Sequence, residues 1–524
     1  MLPPRDETTI DIREVLVWCL PALILAIALR VVISAGLPFG YYHYDTHDFM
    51  LTPDRYLNEG KWDLHKKKVP LVPAIYVAAS TAGVPLLRAM PLLQHVAGVA
   101  ATFVFALLLR AVCPMWRALI IPGTVLFALC PAIIWYEHTL LAESLFLVFI
   151  TCSALRATLH HAKPRWTQWL LLLAALSAAA LTRPEGKLLM VAAPLLLLAA
   201  HHRDWRRLAS KGAALVLWGL VLMPATRTSQ TGLMPLASVI HWMPDQTKAA
   251  KGAEPLLLPI REQARAVQGK RQRHETATRK ALSAAVRQFF TDNPGTGNPR
   301  SDRDVNDFCR RLALEIYCRN WLRVPALALE KYLMTLDEFP SGRFDEHWLK
   351  EELRDSLARN WDRVLRLSRQ LSGETWRNES EAAAFFDHHF QPDRVTWFDS
   401  AMVDWQRLAS WPRWPGRPSG HGGIFALPAF YALAVLGCLS ACLIPGPWRT
   451  LHICWLLALA GMAFGVFAVA GTEARFRFAF EPFAILYLAV FIGTLISVTK
   501  TRLSPRHPAK DHAAPATASA LHPM

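Results

Sequence analysis

Long apolar runs separated by short polar segments dominate this chain. Runs of about 18 or more apolar residues are typical of helices that cross a membrane. The pattern predicts spans at residues 15–36, 92–112, 118–135, 140–159, 166–182, 187–200, 212–226, 424–444, 451–470 and 478–498. The first run is too long for a signal peptide and lacks a small-residue cleavage site, so we expect it to be retained.

One apolar segment, residues 69–87, departs from this pattern. It is interrupted by Pro70, Pro73, Gly83 and Pro85. Broken backbone at membrane depth needs protein or water partners, so we expect the segment to pack at the interface. If it spanned instead, the orientation of all later spans would be inverted.

The distribution of basic residues predicts the orientation. With the N-terminus inside, all five inner segments are basic, at residues 110–117, 156–165, 201–211, 445–449 and 500–510. The short outer segments 135–139 and 471–473 carry acids instead. This is the bias that the positive-inside rule describes.

The resulting organisation is an all-α polytopic membrane protein with about ten transmembrane helices. Residues 1–226 form an N-terminal membrane domain that includes a first outer loop, 37–90. Residues 227–423 form a polar extracytoplasmic domain between spans seven and eight. We expect it to be mostly helical, since apolar residues recur at three- and four-residue spacing in 304–321 and 351–371. Two further parts complete the chain, the C-terminal membrane helices 424–499 and a disordered cytoplasmic tail, 500–524.

Composition narrows the class of protein further. The chain is 53% hydrophobic and has a net charge of +16, with the basic residues gathered at span ends and in the large loop. This placement indicates that the basic residues set the orientation of the spans and attract anionic lipid headgroups, rather than bind nucleic acid. Most of the nine cysteines lie in apolar spans, but Cys309 and Cys318 lie in the outer loop, where spacing alone leaves their pairing open. No P-loop, GxSxG, HExxH or dinucleotide fingerprint stands out, which argues against an ATP-driven pump or a common hydrolase.

The first outer loop carries the most informative polar residues, His43, Asp45 and Asp48. The two aspartates are three residues apart and share a face if the segment is helical. One carboxylate could take a proton from an attacking hydroxyl, and the other could orient it or hold a divalent ion. Alternatively, both acids solvate the loop or cap a helix that starts near Pro53.

Further acids lie between the third and fourth spans. Glu137 and His138 occupy the connection, and Glu143 lies inside the following apolar run. An acid within a span is costly and is a functional candidate by default. The alternative for Glu143 is an ion pair with an arginine of another span, such as Arg30.

Charged residues also mark two later outer connections. Arg183 and Glu185 separate the fifth and sixth spans, and Glu473, Arg475 and Arg477 separate the ninth and tenth. The planar guanidinium fits phosphate oxygens, although an arginine that merely reaches the membrane surface is the alternative. Two arginines on an outer loop oppose the positive-inside bias, which favours anion binding.

These motifs, in this order, resemble the GT-C superfamily of polytopic glycosyltransferases, nearest its dolichyl-phosphate-mannose-protein mannosyltransferase-like branch and the bacterial relatives that use polyprenyl-phosphate sugars. The resemblance is spread over the membrane part. It rests on His43-Tyr-Asp45-Thr-His-Asp48, Leu141-Ala-Glu143-Ser-Leu, Thr182-Arg-Pro-Glu-Gly186 and Arg475-Phe-Arg477-Phe.

The resemblance implies transfer of a sugar from a polyprenyl-phosphate donor to an extracytoplasmic acceptor, which could be a protein, a lipid or a glycan, usually with inversion. Asp45 corresponds to the family's first-loop aspartate and would be the general base. Many relatives have adjacent acids here, whereas Thr46 follows Asp45, so the division of roles between Asp45 and Asp48 stays open. The superfamily includes metal-dependent and metal-independent members, so Mg²⁺ or Mn²⁺ held by Asp45, Asp48 and Glu137 is also open.

The remaining roles follow the same chemistry. A lipid phosphate is a good leaving group whose developing charge needs stabilisation, which Arg183, Arg475 and Arg477 could supply. The supporting or substrate-binding candidates are His43, Glu137, His138, Glu143, Glu185 and Glu473. We expect a bacterial cytoplasmic membrane protein with its site facing the periplasm. The alternatives are an O-antigen ligase or polymerase that uses pyrophosphate-linked glycans, a lipid-linked sugar flippase or transporter, and a non-catalytic assembly subunit.

Overall fold

The structure is a computed structural model, and its regular elements are helices. It describes residues 10–43, 45–65, 68–113, 116–201, 204–226, 233–242, 257–258, 261–262, 273–292, 302–335, 354–358, 361–389, 428–443, 448–469 and 479–503. In these ranges the β pairing consists of one isolated parallel bridge, between Tyr41 and Thr139.

The helices before residue 227 form the larger part of the bundle. They are α1 (Ile12–Gly36), α2 (Thr46–Glu59), α3 (Leu71–Thr81), α4 (Leu86–Val112), α5 (Ile120–Ala128), α6 (Pro131–Glu137), α7 (Glu143–Ala162), α8 (Trp166–Thr182), α9 (Gly186–Leu189), α10 (Ala192–His201) and α11 (Trp205–Ala225). A 3-10 turn, Arg117–Leu119, precedes α5.

The later helices belong to the segment between α11 and the C-terminal membrane helices, named the outer segment here after its predicted side, and to those membrane helices. They are α12 (Leu233–Trp242), α13 (Arg273–Asp292), α14 (Asp302–Arg319), α15 (Arg323–Thr335), α16 (Trp361–Arg366), α17 (Ser368–Ser372), α18 (Glu379–His389), α19 (Pro428–Leu443), α20 (Arg449–Val469) and α21 (Glu481–Leu503).

Six of the described helices are long and apolar enough to cross a membrane: α1, α4, α7, α11, α20 and α21. Large apolar side chains on two of them are exposed, among them Val17 and Val31 on α1 and Val216 and Val221 on α11. Such extended apolar surface is stable against lipid and unfavourable against water. The protein is therefore an all-α integral membrane protein.

The remaining predicted spans are short or broken in the described part of the chain. Residues 118–135 divide into α5 and α6 at Cys130, which is extended because the next residue is Pro131. Residues 187–200 divide into α9 and α10, since Pro194 excludes a regular helical bond to Met190. The helix α8 has 17 residues and α19 has 16. Ten full spans are therefore not confirmed.

The interrupted segment 69–87 forms α3, which ends at a turn where Gly83 has a φ of 70°. The helix has 11 residues, which at about 1.5 Å per residue gives about 16 Å. This is roughly half the thickness of a hydrocarbon core. Packed against α2, α4 and α8, α3 fits the expectation of a segment that does not cross the membrane.

Two clusters of buried polar residues mark opposite ends of α7. Glu143 lies at its first turn, and His160 lies near its last turn, about 25 Å away along the axis. At the second end, the Lys211 ammonium donates to the Nε2 atoms of His160 and His201 and to the carbonyl of Pro164, each at 3.0 Å. These three acceptors satisfy a buried ammonium. The segment that carries His43, Asp45 and Asp48, named the acidic loop from here on, lies at the first end.

The outer segment is helical where the structure describes it. The amphipathic pattern at 304–321 corresponds to α14, and part of the pattern at 351–371 corresponds to α16 and α17. The helices α12 and α15 pack against α20, which joins this segment to the membrane bundle. The predicted tail begins within α21, which continues to Leu503, and its remainder lies outside the described residues.

Cys309 and Cys318 do not pair in this structure. Both lie on α14 as free thiols, Cys309 buried and Cys318 exposed. Nine residues along a helix separate them by about 13 Å, which is too far for a disulfide.

We expect a membrane-impermeant maleimide to label right-side-out vesicles at Cys318 and to leave Cys309 unmodified. The physical reason is that Cys318 is exposed on a segment predicted to lie outside, whereas Cys309 is buried. Mass spectrometry of tryptic peptides measures both sites, with Cys318→Ser as the control. Labelling of Cys318 only in inside-out vesicles would contradict the predicted orientation.

Candidate active site

The loop between α1 and α2 is held by backbone hydrogen bonds against the connection that precedes α7. The backbone N–H of Tyr41 donates to the carbonyl of His138 at 2.8 Å, and that of Leu140 donates to the carbonyl of Tyr41 at 3.1 Å. The hydroxyl of Thr46 donates to the carbonyl of Leu140 at 3.2 Å. These bonds fix the start of α2 beside the start of α7, where Glu143 lies.

Close backbone contact at Gly40 holds the same loop against α4. Its N–H donates to the carbonyl of Leu87 at 2.5 Å. A Cβ atom at Gly40 would lie 2.4 Å from Cγ of Pro91 and 2.8 Å from Cδ1 of Leu140. Glycine is therefore required here for the loop to approach both neighbours.

Asp45 and Asp48 lie at the start of α2. Asp45 is the N-cap residue but makes no side-chain capping bond, and its own N–H donates to Nδ1 of His43 at 3.1 Å. Asp48 lies in the first turn. The prediction that the helix begins near Pro53 is wrong, because α2 begins at Thr46 and Pro53 lies inside it.

Positive and imidazole groups surround the Asp48 carboxylate. It lies 2.9 Å from Nε2 of His47, 3.4 Å from Nδ1 of His65 and 3.7 Å from Nζ of Lys68. Burial of Asp48 raises its pKa, but the hydrogen bond from His47 and the charges of Lys68, His65 and His47 outweigh burial. The pKa of Asp48 therefore lies below its ordinary value, and the group is ionised at neutral pH.

The arrangement does not fit the proposed metal set. The Lys68 ammonium lies 4.0 Å from Asp45 and 3.7 Å from Asp48, in the position where a cation would bridge the two carboxylates. Glu137 is engaged by Arg30 and His95 instead. Within the described residues, no group of three or more His, Cys, Asp or Glu side chains could hold a metal ion.

The outer segment is attached to α2 through a buried carboxylate. Asp54 accepts from Nη2 and Nε of Arg366 at 2.7 and 3.1 Å and from Nε of Arg363 at 3.3 Å. Burial raises the pKa of Asp54, but the hydrogen bonds and charges of Arg366, with Asn58 and Arg363, lower it below its ordinary value. We refer to Asp54, Arg363 and Arg366 as the docking triad.

The docking triad also brings a cation close to the acidic loop. Nη1 of Arg363 donates to the carbonyl of His47 at 2.9 Å. The pKa of the nearby Tyr42 phenol is raised, mainly by burial. The charge of Arg363 acts against this increase, and the charge of Asp48 adds to it. The charges of Arg363 and Asp48 therefore both act on Tyr42. Arg363 is more than 300 residues from the loop in sequence.

Glu143 and Glu185 hold Arg183 at the C-terminal end of α8. Nη1 of Arg183 lies 2.6 Å from Glu143, and its Nε and Nη2 atoms each donate to Glu185 at 3.1 Å. Gly186 allows this turn, since a Cβ there would lie 2.5 Å from the carbonyl of Ala179. The positive charge of Arg183 is thus compensated by two carboxylates, which reduces its attraction for a phosphate.

Glu137 forms the most deeply buried ion pair of this end of the bundle. Its two oxygens accept from Nε and Nη2 of Arg30, both at 2.6 Å. Arg30 therefore pairs with Glu137, whereas the alternative considered from sequence paired it with Glu143. A Cβ at Gly98 would lie 1.8 Å from Glu137, so only glycine leaves room for this pair.

A histidine chain continues from this ion pair to the acidic loop. Nδ1 of His95 lies 2.9 Å from Glu137, and its Nε2 lies 3.3 Å from Nδ1 of His138. Nε2 of His138 lies 3.1 Å from the carbonyl of Phe39. His138 and Glu137 therefore position the loop, and neither reaches Asp48 through the contacts described.

Sequence reasoning identified the aspartates but missed their neighbours. No motif in the sequence marks the following residues as part of the site: Tyr42, His65, Lys68, Tyr76 and Arg363. The one usable indication is the spacing of Arg363 and Arg366, which places two cations on one helix face. Glu473, Arg475 and Arg477 lie outside the described residues.

No protein-family model matches this chain, and a search of curated proteins also finds no match.

We expect Arg30→Met and Glu137→Gln each to lower the free energy of unfolding by about 3–5 kcal/mol, because each leaves a buried charge or its partner unpaired. The double variant should lose less than the sum of the two. Thermal and denaturant unfolding in detergent measures these losses. Glu59→Gln removes an exposed pair with Lys61 and serves as the control with little effect. Strictly additive losses would contradict the pairing.

We expect Asp54→Asn to lower stability by about 1–2 kcal/mol at neutral pH, because it removes the charge that docks the outer segment. A folded-state pKa below the ordinary value gives stability that is complete above about pH 4 and is lost as the pH falls further. The difference in unfolding temperature between wild type and variant should therefore be constant from pH 7 to about pH 4 and shrink below. A difference that disappears near pH 6 would contradict the lowered pKa.

Proposed function

We propose that this protein is a glycosyltransferase that moves a sugar from a polyprenyl-phosphate donor to an extracytoplasmic acceptor. The observation that carries the proposal is the pair of carboxylates, Asp45 and Asp48, beside cationic side chains at the end of an apolar helical bundle. The donor's lipid would lie among the helices, and its sugar phosphate would lie at this end. The motif resemblance to GT-C transferases agrees with this chemistry.

The two aspartates are suited to different roles. Asp48 is held by three neighbours, and its pKa is lowered by His47 and Lys68 in spite of burial, which makes it a weak base. The Asp45 side chain is more exposed, and Lys68 lies 4.0 Å from it. We assign Asp45 as the general base and Asp48 as the residue that positions Lys68, His47 and His65.

The reaction is a single displacement at the anomeric carbon. The acceptor oxygen attacks that carbon while Asp45 takes the hydroxyl proton. The bond between the anomeric carbon and the phosphate oxygen breaks, and the electron pair leaves with the polyprenyl phosphate. A displacement of this kind inverts the anomeric configuration.

The leaving phosphate needs positive charge, and the candidates differ in availability. Lys68 lies 4.0 Å from Asp45 and 3.7 Å from Asp48, beyond hydrogen-bond distance of either acid, and Arg363, which also pairs with Asp54, lies on the same side of the site. Arg183 is compensated by Glu143 and Glu185, so we assign it to holding Glu143 in place. Arg475 and Arg477 remain candidates on the sequence argument alone.

We expect Asp45→Asn to lower the rate of sugar transfer by about 10²–10⁴-fold, because the proton acceptor is lost. Asp48→Asn should lower it less, because Asp48 only positions its neighbours. Purified protein in detergent is assayed with undecaprenyl-phosphate-linked glucose, mannose and galactose, measuring both transfer and hydrolysis of the sugar.

Glu59→Gln, an exposed acid of the same helix, is the matched control and should keep the wild-type rate. Equal unfolding temperatures of the variants exclude misfolding as the cause. A wild-type rate in Asp45→Asn would remove Asp45 as the base.

A further inference from the structure

Tyr76 is a fully buried tyrosine whose hydroxyl has no hydrogen-bond partner among the described residues. It lies on α3, the short helix between the acidic loop and α4. A buried hydroxyl without a partner loses its hydration and gains nothing in exchange. Such a group in a folded protein calls for an explanation, and a ligand that supplies the partner is one.

The surroundings of Tyr76 connect the two charged parts of the candidate site. The Tyr76 ring lies 6.1 Å from the ring of Phe49, which is next to Asp48, and α3 also packs against α8, which ends beside Arg183. The same phenol interacts electrostatically with Tyr42 and with Glu143. Tyr42 in turn interacts with Asp48 and Arg363. Tyr76 therefore lies between the proposed base side, with Asp48, and the Glu143–Arg183 pair.

The charge beside Tyr76 selects the kind of ligand atom that it can bind. Glu143 and Glu185 face Arg183, and Lys187 also faces Glu185, so no positive charge is left over here to attract a phosphate. A sugar hydroxyl both donates and accepts hydrogen bonds. It can donate to Glu143 and accept from Tyr76, whereas a phosphate oxygen can only accept.

Neighbouring residues offer further polar atoms of the same kind. The hydroxyls of Ser80, one turn beyond Tyr76 on α3, and of Ser144, next to Glu143, are also buried and have no hydrogen-bond partner among the described residues. Buried unpartnered hydroxyls beside a carboxylate are what a site for a polyhydroxylated ligand requires.

We infer that Tyr76 and Glu143 together bind one hydroxyl group of the transferred sugar and thereby select which sugar is transferred. The inference rests on the proposed function and adds a division of the site. The side with Lys68 and Arg363 binds the phosphate, and the side with Tyr76 and Glu143 binds the sugar ring.

The test compares Tyr76→Phe with wild type on a set of donors. The undecaprenyl-phosphate hexose that supports transfer is prepared in monodeoxy forms, each lacking one ring hydroxyl. Wild type should lose about 10-fold in kcat/KM with one of these forms. With the parent sugar, kcat/KM of Tyr76→Phe should be about 10-fold below that of wild type. The variant should use the parent sugar and that deoxy form equally well.

Ligand-free stability provides a second readout. Tyr76→Phe removes an unpartnered hydroxyl, so its unfolding temperature should be equal to or above that of wild type. Tyr431→Phe is the matched control, because the Tyr431 hydroxyl donates to Glu481 at 2.7 Å and its loss should lower the unfolding temperature. A comparable decrease in Tyr76→Phe would show that its hydroxyl has a structural partner and would overturn the inference.

The failure of the inference can be told from the failure of the proposed function. If wild type transfers sugar and Tyr76→Phe keeps full discrimination among the deoxy donors, the inference is overturned and the transferase stands. If donors bind without turnover, the same comparison is made on the rise in unfolding temperature that each donor produces. If no donor is transferred or stabilises wild type, the transferase proposal and the inference fall together.

Discussion

The end of the bundle that carries the candidate site depends on one constraint: a charge placed among apolar helices must be compensated by a partner of opposite sign. Arg30 and Glu137 satisfy it with two bonds of 2.6 Å. His95 and His138 extend the contact to the carbonyl of Phe39. If one of these helices shifted, a buried charge would lose its partner, which is strongly destabilising. The contacts therefore fix α1, α4 and α6 relative to one another, and the acidic loop packs on them.

The same constraint distinguishes the acids that hold the structure from those that we assign to chemistry. Glu137 is fully buried and is held by Arg30 and His95, so a substrate could reach it only by disturbing this ion pair. Asp45 is more exposed than Asp48, and Lys68 lies 4.0 Å from the first and 3.7 Å from the second. We assign the base to Asp45 because an acceptor hydroxyl can approach the more exposed carboxylate.

The outer segment contributes to the site through charge as well. Asp54 is on α2, and its partners Arg363 and Arg366 come from a helix more than 300 residues later. The bonds bring Arg363 to the carbonyl of His47 and into the environment of Tyr42. Asp45 and Asp48 thus come from the membrane part of the chain, and the outer segment places Arg363 near them.

The sequence by itself determined that this is an all-α membrane protein, where most of its apolar helices lie, and that Asp45 and Asp48 follow the first of them, because hydrophobic periodicity is a local property of the chain. It did not determine the breaks at Cys130 and Met190 or the start of α2, where single prolines and loop contacts decide the backbone. Nor did it determine that Arg30 pairs with Glu137, that Lys68 lies between the aspartates, or that Tyr76 is buried without a partner. Those facts depend on which helices meet, and only the tertiary structure brings together side chains that are distant along the chain.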